Sequence, residues 1–171
     1  LFRSGSTVRV QINQLNAGQE KYVLLEMELP ATRSGKTRSV ASVSVSYANM
    51  ATRSTDKLTG TASVLFTDDL AAVERSVHRE VMIAVVTQTA VERNKLAVDL
   101  RDKGDIAAAR AALADNAAYL RLNAGKLNST ELEAYSARNI DDSRNLDEDN
   151  WGRQRKDMRY RQRSGEAQQS Y

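Results

Sequence analysis

The chain has no cysteine, a single proline, a single histidine and few aromatics, which make up 5% of its 171 residues. Without cysteine there is no disulfide, no thiol nucleophile and no Cys-ligated zinc. No apolar run reaches 18 residues, so nothing in the sequence spans a membrane. No signal peptide is visible. The reading of compartment leans to the cytoplasm, with the periplasm and the cell exterior left open. The scarcity of aromatics leaves Val, Leu, Ile and Ala to build any core, and 41% hydrophobic content is enough for a real one. The 25 basic and 22 acidic side chains are too balanced to imply nucleic acid by themselves. The positive excess lies in the first 67 residues, with 8 basic and 4 acidic groups. The chain begins at Leu1 rather than Met, so it is expected to be a piece of something longer.

The hydrophobic period changes once. Val8, Val10 and Ile12 alternate with polar residues, as in a half-buried strand. A turn at Asn16 to Gln19 leads to a second expected strand, Tyr22 to Leu29, ended by Pro30. The third is the clearest: Ala41, Val43, Val45 and Tyr47 alternate with Ser42, Ser44 and Ser46. Asn49 to Leu58 reads as a polar loop, and Ala62, Val64 and Phe66 as a fourth strand. Four strands predict an antiparallel sheet wet on one face. Its second layer must come from the helices or from strands upstream of Leu1.

From Asp68 onward the spacing is helical. Asp68 or Asp69 can cap a helix whose face is Leu70, Val73, Val77, Val81, Ala84 and Val85, running to Lys103. Val85-Val86-Thr87-Gln88-Thr89 is β-branched, but flanking charges and the lack of turn residues favour helix. Gly104 ends this helix. Asp105 caps the next, with Ile106, Ala109, Leu113, Ala117 and Leu120 on its apolar face, so a helical hairpin is expected. Asn123 to Asn128 is a break, and Ser129 or Thr130 starts a short helix through Tyr135. The fold class is thus α+β: a β-sandwich-like domain over 1–67, a helical hairpin over 68–138 and a polar tail over 139–171, disordered from 164.

The run Val8 to Tyr47, then Val64-Leu65-Phe66-Thr67-Asp68-Asp69, then Val77-His78-Arg79-Glu80-Val81, resembles bacterial proteins with a von Willebrand factor type A (VWA) domain. In that group a small β-sandwich follows the VWA domain, and a helical hairpin follows the sandwich. Leu15-Asn16-Ala17-Gly18-Gln19 with Tyr22 to Leu29 looks like the sandwich's opening. Lys103-Gly104-Asp105-Ile106-Ala107-Ala108-Ala109-Arg110 looks like its hairpin. The likeness covers residues 8–125. It implies a role in protein–protein interaction, with the upstream domain or another protein as partner. The family's metal motif, Asp-x-Ser-x-Ser, does not occur here, and Asp142-Ser143 lacks its spacing. A divalent metal would therefore belong to an upstream VWA domain. No cofactor and no metal ligand is assigned to this chain.

No catalytic constellation is visible, and the expectation is a non-enzymatic module. His78 has only Glu74 on its helical face, too little for a metal site. Asp68-Asp69 reads as a cap rather than a carboxylate pair. The acidic stretch Asp141, Asp142, Asp147, Glu148 and Asp149 lacks the alternation and central glycine of a calcium loop. Asp105 reads as a cap, with Arg101 and Lys103 neutralising Asp99 and Asp102. Ser34-Gly35-Lys36-Thr37 ends like a P-loop, but the first glycine of that motif would fall on Pro30.

The sharpest local feature is basic: Arg153, Arg155, Lys156, Arg159, Arg161 and Arg163, with Tyr160 interleaved and Trp151 just before. Three readings stay open. The leading one pairs these residues in cis with the acidic stretch or leaves them as a solvated tail. The others dock them on an acidic partner protein or on nucleic acid, where guanidiniums meet phosphates and aromatics stack on unpaired bases.

Overall fold

A computed structural model describes residues 2–4, 7–12, 15, 19 and 21–167. The arrangement is α+β, as expected. Contacts divide the chain into two compact units, residues 26–77 and residues 1–25 with 78–171, rather than at 67/68 and 138/139.

In the first unit, β-structure is a long hairpin. The strands Thr37–Asn49 and Ser54–Leu65 pair antiparallel, with Ala41 opposite Ala62, Val43 opposite Gly60 and Val45 opposite Leu58. They are numbered β3 and β4, after two short strands described below. A register shift falls between Ser39 and Ala41. The hairpin consumes most of the expected polar loop. Its turn is organised by Asn49, whose Oδ1 accepts from the Ala51 and Thr52 N–H groups at 3.0 and 3.3 Å. Asn49 Nδ2 and Ser54 Oγ donate to the Asp56 carboxylate at 2.7 and 2.8 Å, holding its pKa below the ordinary value. At the other end Gly35 takes φ +81°, and its N–H donates to the Phe66 carbonyl at 2.7 Å. The expected strand Tyr22 to Leu29 does not form; the segment has no regular structure, and Val23, Leu25 and Met27 stay exposed. A strand exists through the hydrogen bonds of a neighbour, which alternation cannot supply.

Helix α1 spans Leu70–Arg75, and Asp69 caps it by accepting from the Ala72 N–H at 3.1 Å. The long helix expected to run on to Lys103 is cut here. Ser76 Oγ donates to the Val73 carbonyl at 2.8 Å, offering the backbone a local alternative to the next turn. His78 is then extended, at φ −84° and ψ 104°.

The second unit is a bundle of α2 (Arg79–Asp102), α3 (Ile106–Leu127), α4 (Thr130–Arg144) and α5 (Glu148–Ala167), with the small antiparallel pair β1 (Phe2–Ser4) and β2 (Thr7–Arg9). The β-branched run 85–89 is helical, because Val86 is 1% exposed in the core and burial outweighs its weak propensity. Gly104, at φ +87°, turns the chain, and Asp105 caps α3 by accepting from the Ala108 N–H at 2.9 Å. The break expected over 123–128 shrinks to Asn128, which is left-handed at φ 47°. Ser129 caps α4. Arg79 donates to the carbonyls of Leu127 and Asn128 at 2.6 and 2.8 Å, placing a cation on the C-terminus of α3.

The region expected to be a polar tail is helical to residue 167, and residues 168–171 lie outside the described residues. Two apolar clusters form the core. One joins Val86, Ala90, Leu120 and Leu132; the other joins Val98, Leu113, Leu146 and Met158. In sequence, Asn94 and Asn116 fall between the members of these clusters on α2 and α3. Both are buried, with Asn139 of α4 and Gln162 of α5. Gln162 Nε2 donates to Asn94 Oδ1 at 2.6 Å. Asn94 Nδ2 and Asn116 Nδ2 donate to Asn139 Oδ1 at 3.0 and 3.1 Å. Asn116 Nδ2 also reaches the Ala90 carbonyl at 2.9 Å, and Asn139 Nδ2 the Tyr135 carbonyl at 3.0 Å. Among the described residues only Asn116 Oδ1 is a buried side-chain polar atom without a partner.

Replacing Asn139 by Leu should cost about 2–4 kcal/mol, because two buried amide donors lose their shared acceptor. Leu113→Ala should cost about 3–5 kcal/mol by leaving a cavity. Urea unfolding of both variants checks this; a neutral Asn139→Leu would show that the amides do not hold the helices together.

Candidate functional site

Helix α5 carries all seven residues that the sequence singled out, and its packing sorts them. Met158 and Gln162 are buried, and Trp151, Gln154 and Gly165 are half-buried, so this side faces the bundle. Gly165 lies close to α2: a Cβ there would be 2.9 Å from Val91 Cγ2. Three of the basic residues turn inward at the flanks of this face. Arg155 Nε donates to both oxygens of Asp102, at 2.8 and 2.9 Å. Arg159 Nη2 meets Asp99 at 2.6 Å and lies 3.8 Å from Asp102. Arg161 Nη2 donates to both oxygens of Asp142, at 2.8 and 3.0 Å.

The basic segment therefore pairs in cis, but mostly with other partners than the adjacent acidic stretch. Only Asp142 comes from that stretch. Asp99 and Asp102 are neutralised by α5, not by Arg101 and Lys103 as their spacing suggested. Arg101 is buried; its Nε donates to the Leu146 carbonyl at 2.7 Å, and its guanidinium lies 5.1 Å from the Trp151 ring centre. Trp151 Nε1 donates to Asp102 at 3.2 Å. Lys95 bridges Glu92 and Glu166, tying the end of α5 to α2.

The other four residues lie on the opposite side. Arg153, Lys156, Tyr160 and Arg163 are spaced by three or four residues, which aligns them along one helical stripe. All are exposed, Tyr160 by 61%. The three cations make no ion pair among the described residues.

Asp142 is 4% exposed. Burial raises its carboxyl above the ordinary value, and the hydrogen bonds from Arg161 and Gln154 only partly offset this. Burial likewise pushes the Tyr135 hydroxyl up to about 12. His78 is exposed at the start of α2 and does not share a helical face with Glu74, because α1 has already ended. Asp68 accepts from Ser34 Oγ at 2.9 Å. Lys36-Thr37 leads into β3 rather than into a helix. Among the described residues no three His, Cys, Asp or Glu side chains are grouped to hold a metal. No described helix is long and apolar enough to cross a membrane.

A second exposed surface lies on the hairpin. The face of Ala41, Val43, Val45 and Tyr47, expected to lie under a second layer, is open: Val43 is 50%, Val45 48% and Leu58 60% exposed. The alternation of these side chains was legible in the sequence; their exposure was not. Spacing missed Asp99 and Asp102 as partners of α5, whereas Asp142 lies in the acidic stretch that the sequence offered. The signal was available in the spacing of Trp151, Met158, Gln162 and Gly165. Compared with known proteins, the chain matches no family model, no curated protein and no solved structure.

The raised Asp142 has a pH consequence. The folded state holds this proton more tightly than the unfolded state, so the group's contribution to stability falls as pH rises through the window above about 3.8. The stability of the native chain relative to Asp142→Asn should therefore decline from pH 4 to pH 7 in urea unfolding. A relative stability that grows with pH would mean that pairing with Arg161 outweighs burial.

Proposed function

We propose that this chain is a non-enzymatic scaffold and protein–protein interaction module, the C-terminal part of a VWA-type protein. In this reading it braces a neighbouring VWA-type domain and presents helical surface to a partner. The observation that carries the reading is the use of charge on α5. Arg155, Arg159 and Arg161 are spent on internal carboxylates, which closes α5 onto the bundle and leaves a rigid support. Apolar groups remain on offer on the helices, with Leu96 55% and Leu122 59% exposed. The sequence resemblance over residues 8–125 supplies the VWA part. Any divalent metal belongs to that neighbouring domain.

The test compares thermal unfolding of the chain alone with that of the chain joined behind a VWA-type domain, with and without magnesium. Bracing predicts a higher melting temperature for the joined protein, rising further with magnesium. Equal melting of this chain in both settings would overturn it.

One observation favours a second reading, a nucleic-acid-binding accessory protein. The outer stripe of Arg153, Lys156 and Arg163 with Tyr160 places cations and an aromatic ring on one exposed side. Three phosphate contacts on a single strand would give log K a slope of about −2 against log salt. Fluorescence anisotropy of a labelled single-stranded oligonucleotide should show no such binding if the scaffold reading holds. Binding with that slope, lost in the Arg153→Ala/Lys156→Ala/Arg163→Ala variant, would establish the second reading.

A further inference from the structure

The β3–β4 hairpin is a two-stranded sheet, so among the described residues each strand keeps one unpaired edge. Isolated two-stranded hairpins are marginal in water, and a third or fourth strand is the usual remedy. The two edges differ. β4 carries Asp56, Lys57 and Gly60, residues that discourage strand addition. From Ser39 to Asn49, β3 has no charge, no proline and no glycine. It is a long, unguarded edge.

The sequence of that edge is close to a palindrome. Around Ser44 it reads Ala41-Ser42-Val43-Ser44-Val45-Ser46-Tyr47. An antiparallel partner with the same sequence, related by a two-fold axis through Ser44, sets each Val43 against Val45 of the other copy. It sets each Ser42 against Ser46, and each Ala41 against Tyr47. Small meets large at both ends, and β-branched pairs sit at the centre, combinations that stabilise cross-strand contacts. Because i pairs with 88 − i, odd residues meet odd ones. The valines and tyrosines of both copies therefore share one face, and the serines the other. No like charges are brought together, which a charged strand could not avoid in pairing with itself. The register shift between Ser39 and Ala41 marks one end of the matched segment.

We propose that two copies of this chain associate edge to edge through residues 41–47 of β3, forming a four-stranded antiparallel sheet in the order β4, β3, β3 and β4. The two-fold relation makes the interface closed and isologous, so it yields a dimer and not a fibre. This interface goes beyond the bracing role and is tested separately from it.

The experiment is sedimentation of the full chain from 1 to 200 µM, with three substitutions. The native chain should shift from 18.9 kDa toward twice that mass as concentration rises. Ser44→Lys and Ser44→Glu each place like charges opposite one another at the axis and should weaken dimerisation at least tenfold. Mixed in equal amounts, the two variants should associate again as a heterodimer. Thr59→Lys, on β4 opposite Ser44 but away from the free edge of β3, should dimerise like the native chain. Far-UV spectra check that each variant is folded. A native chain that stays monomeric at 200 µM overturns the proposal. So does a Ser44→Lys variant that dimerises normally, a Lys/Glu mixture that fails to associate, or an equal loss in Thr59→Lys.

Discussion

The bundle turns on one acceptor, the Oδ1 of Asn139. Two amides, from α2 and α3, point their donors at it, and the amide from α5 reaches it through Asn94. Its own helix is the fourth partner, since Asn139 Nδ2 bonds back to the Tyr135 carbonyl. A buried amide is costly when unpaired and directional when paired. Hydrophobic contact alone would let these helices slide or rotate against each other. The amide layer admits one register, with an apolar cluster above it and another below. Ser136 adds to this by donating to the Ala117 carbonyl at 2.8 Å, and Arg101 by donating to the Leu146 carbonyl.

This design explains the polarity of the C-terminal third. The buried residues of α4 are Leu132, Ser136, Asn139, Asp142 and Ser143, at helical spacing but with one apolar member. On α5 only Met158 and Trp151 announce a buried side, and Gln162 does the rest. Helix α5 is then held by its flanks, where Arg155, Arg159 and Arg161 meet Asp102, Asp99 and Asp142. Exposed pairs of this kind contribute about 0.2–1 kcal/mol each, so together they orient the helix more than they stabilise it. The Asp142 pair differs, because its carboxylate is withdrawn from water.

The hairpin shows the opposite economy. Its turn is well satisfied, by Asn49, Ser54 and Asp56, and its strands are in register for most of their length. Yet its apolar side chains are about half exposed. Hydrogen bonding holds the element; burial has not been completed within it. The bundle is closed, while among the described residues the hairpin keeps open faces and edges, and the proposal of association rests on that asymmetry.

Local rules carried much of this in the sequence. Asp69, Asp105 and Ser129 cap helices as their side chains dictate, and Gly104 and Gly35 turn the chain where positive φ is needed. The apolar stripe of α3 and the alternation of β3 were legible because each depends on a residue's own type and spacing. Only the tertiary structure decided the remainder. Among the described residues it set no neighbouring strand beside residues 22–29, so an alternating segment formed no strand. It folded a polar tail into α5, because amides become buriable once their partners on three other helices are in place. It also sorted seven candidate side chains into three that pair inward and four that face solvent. Each of these outcomes depends on groups distant in sequence, and no window of local pattern contains them.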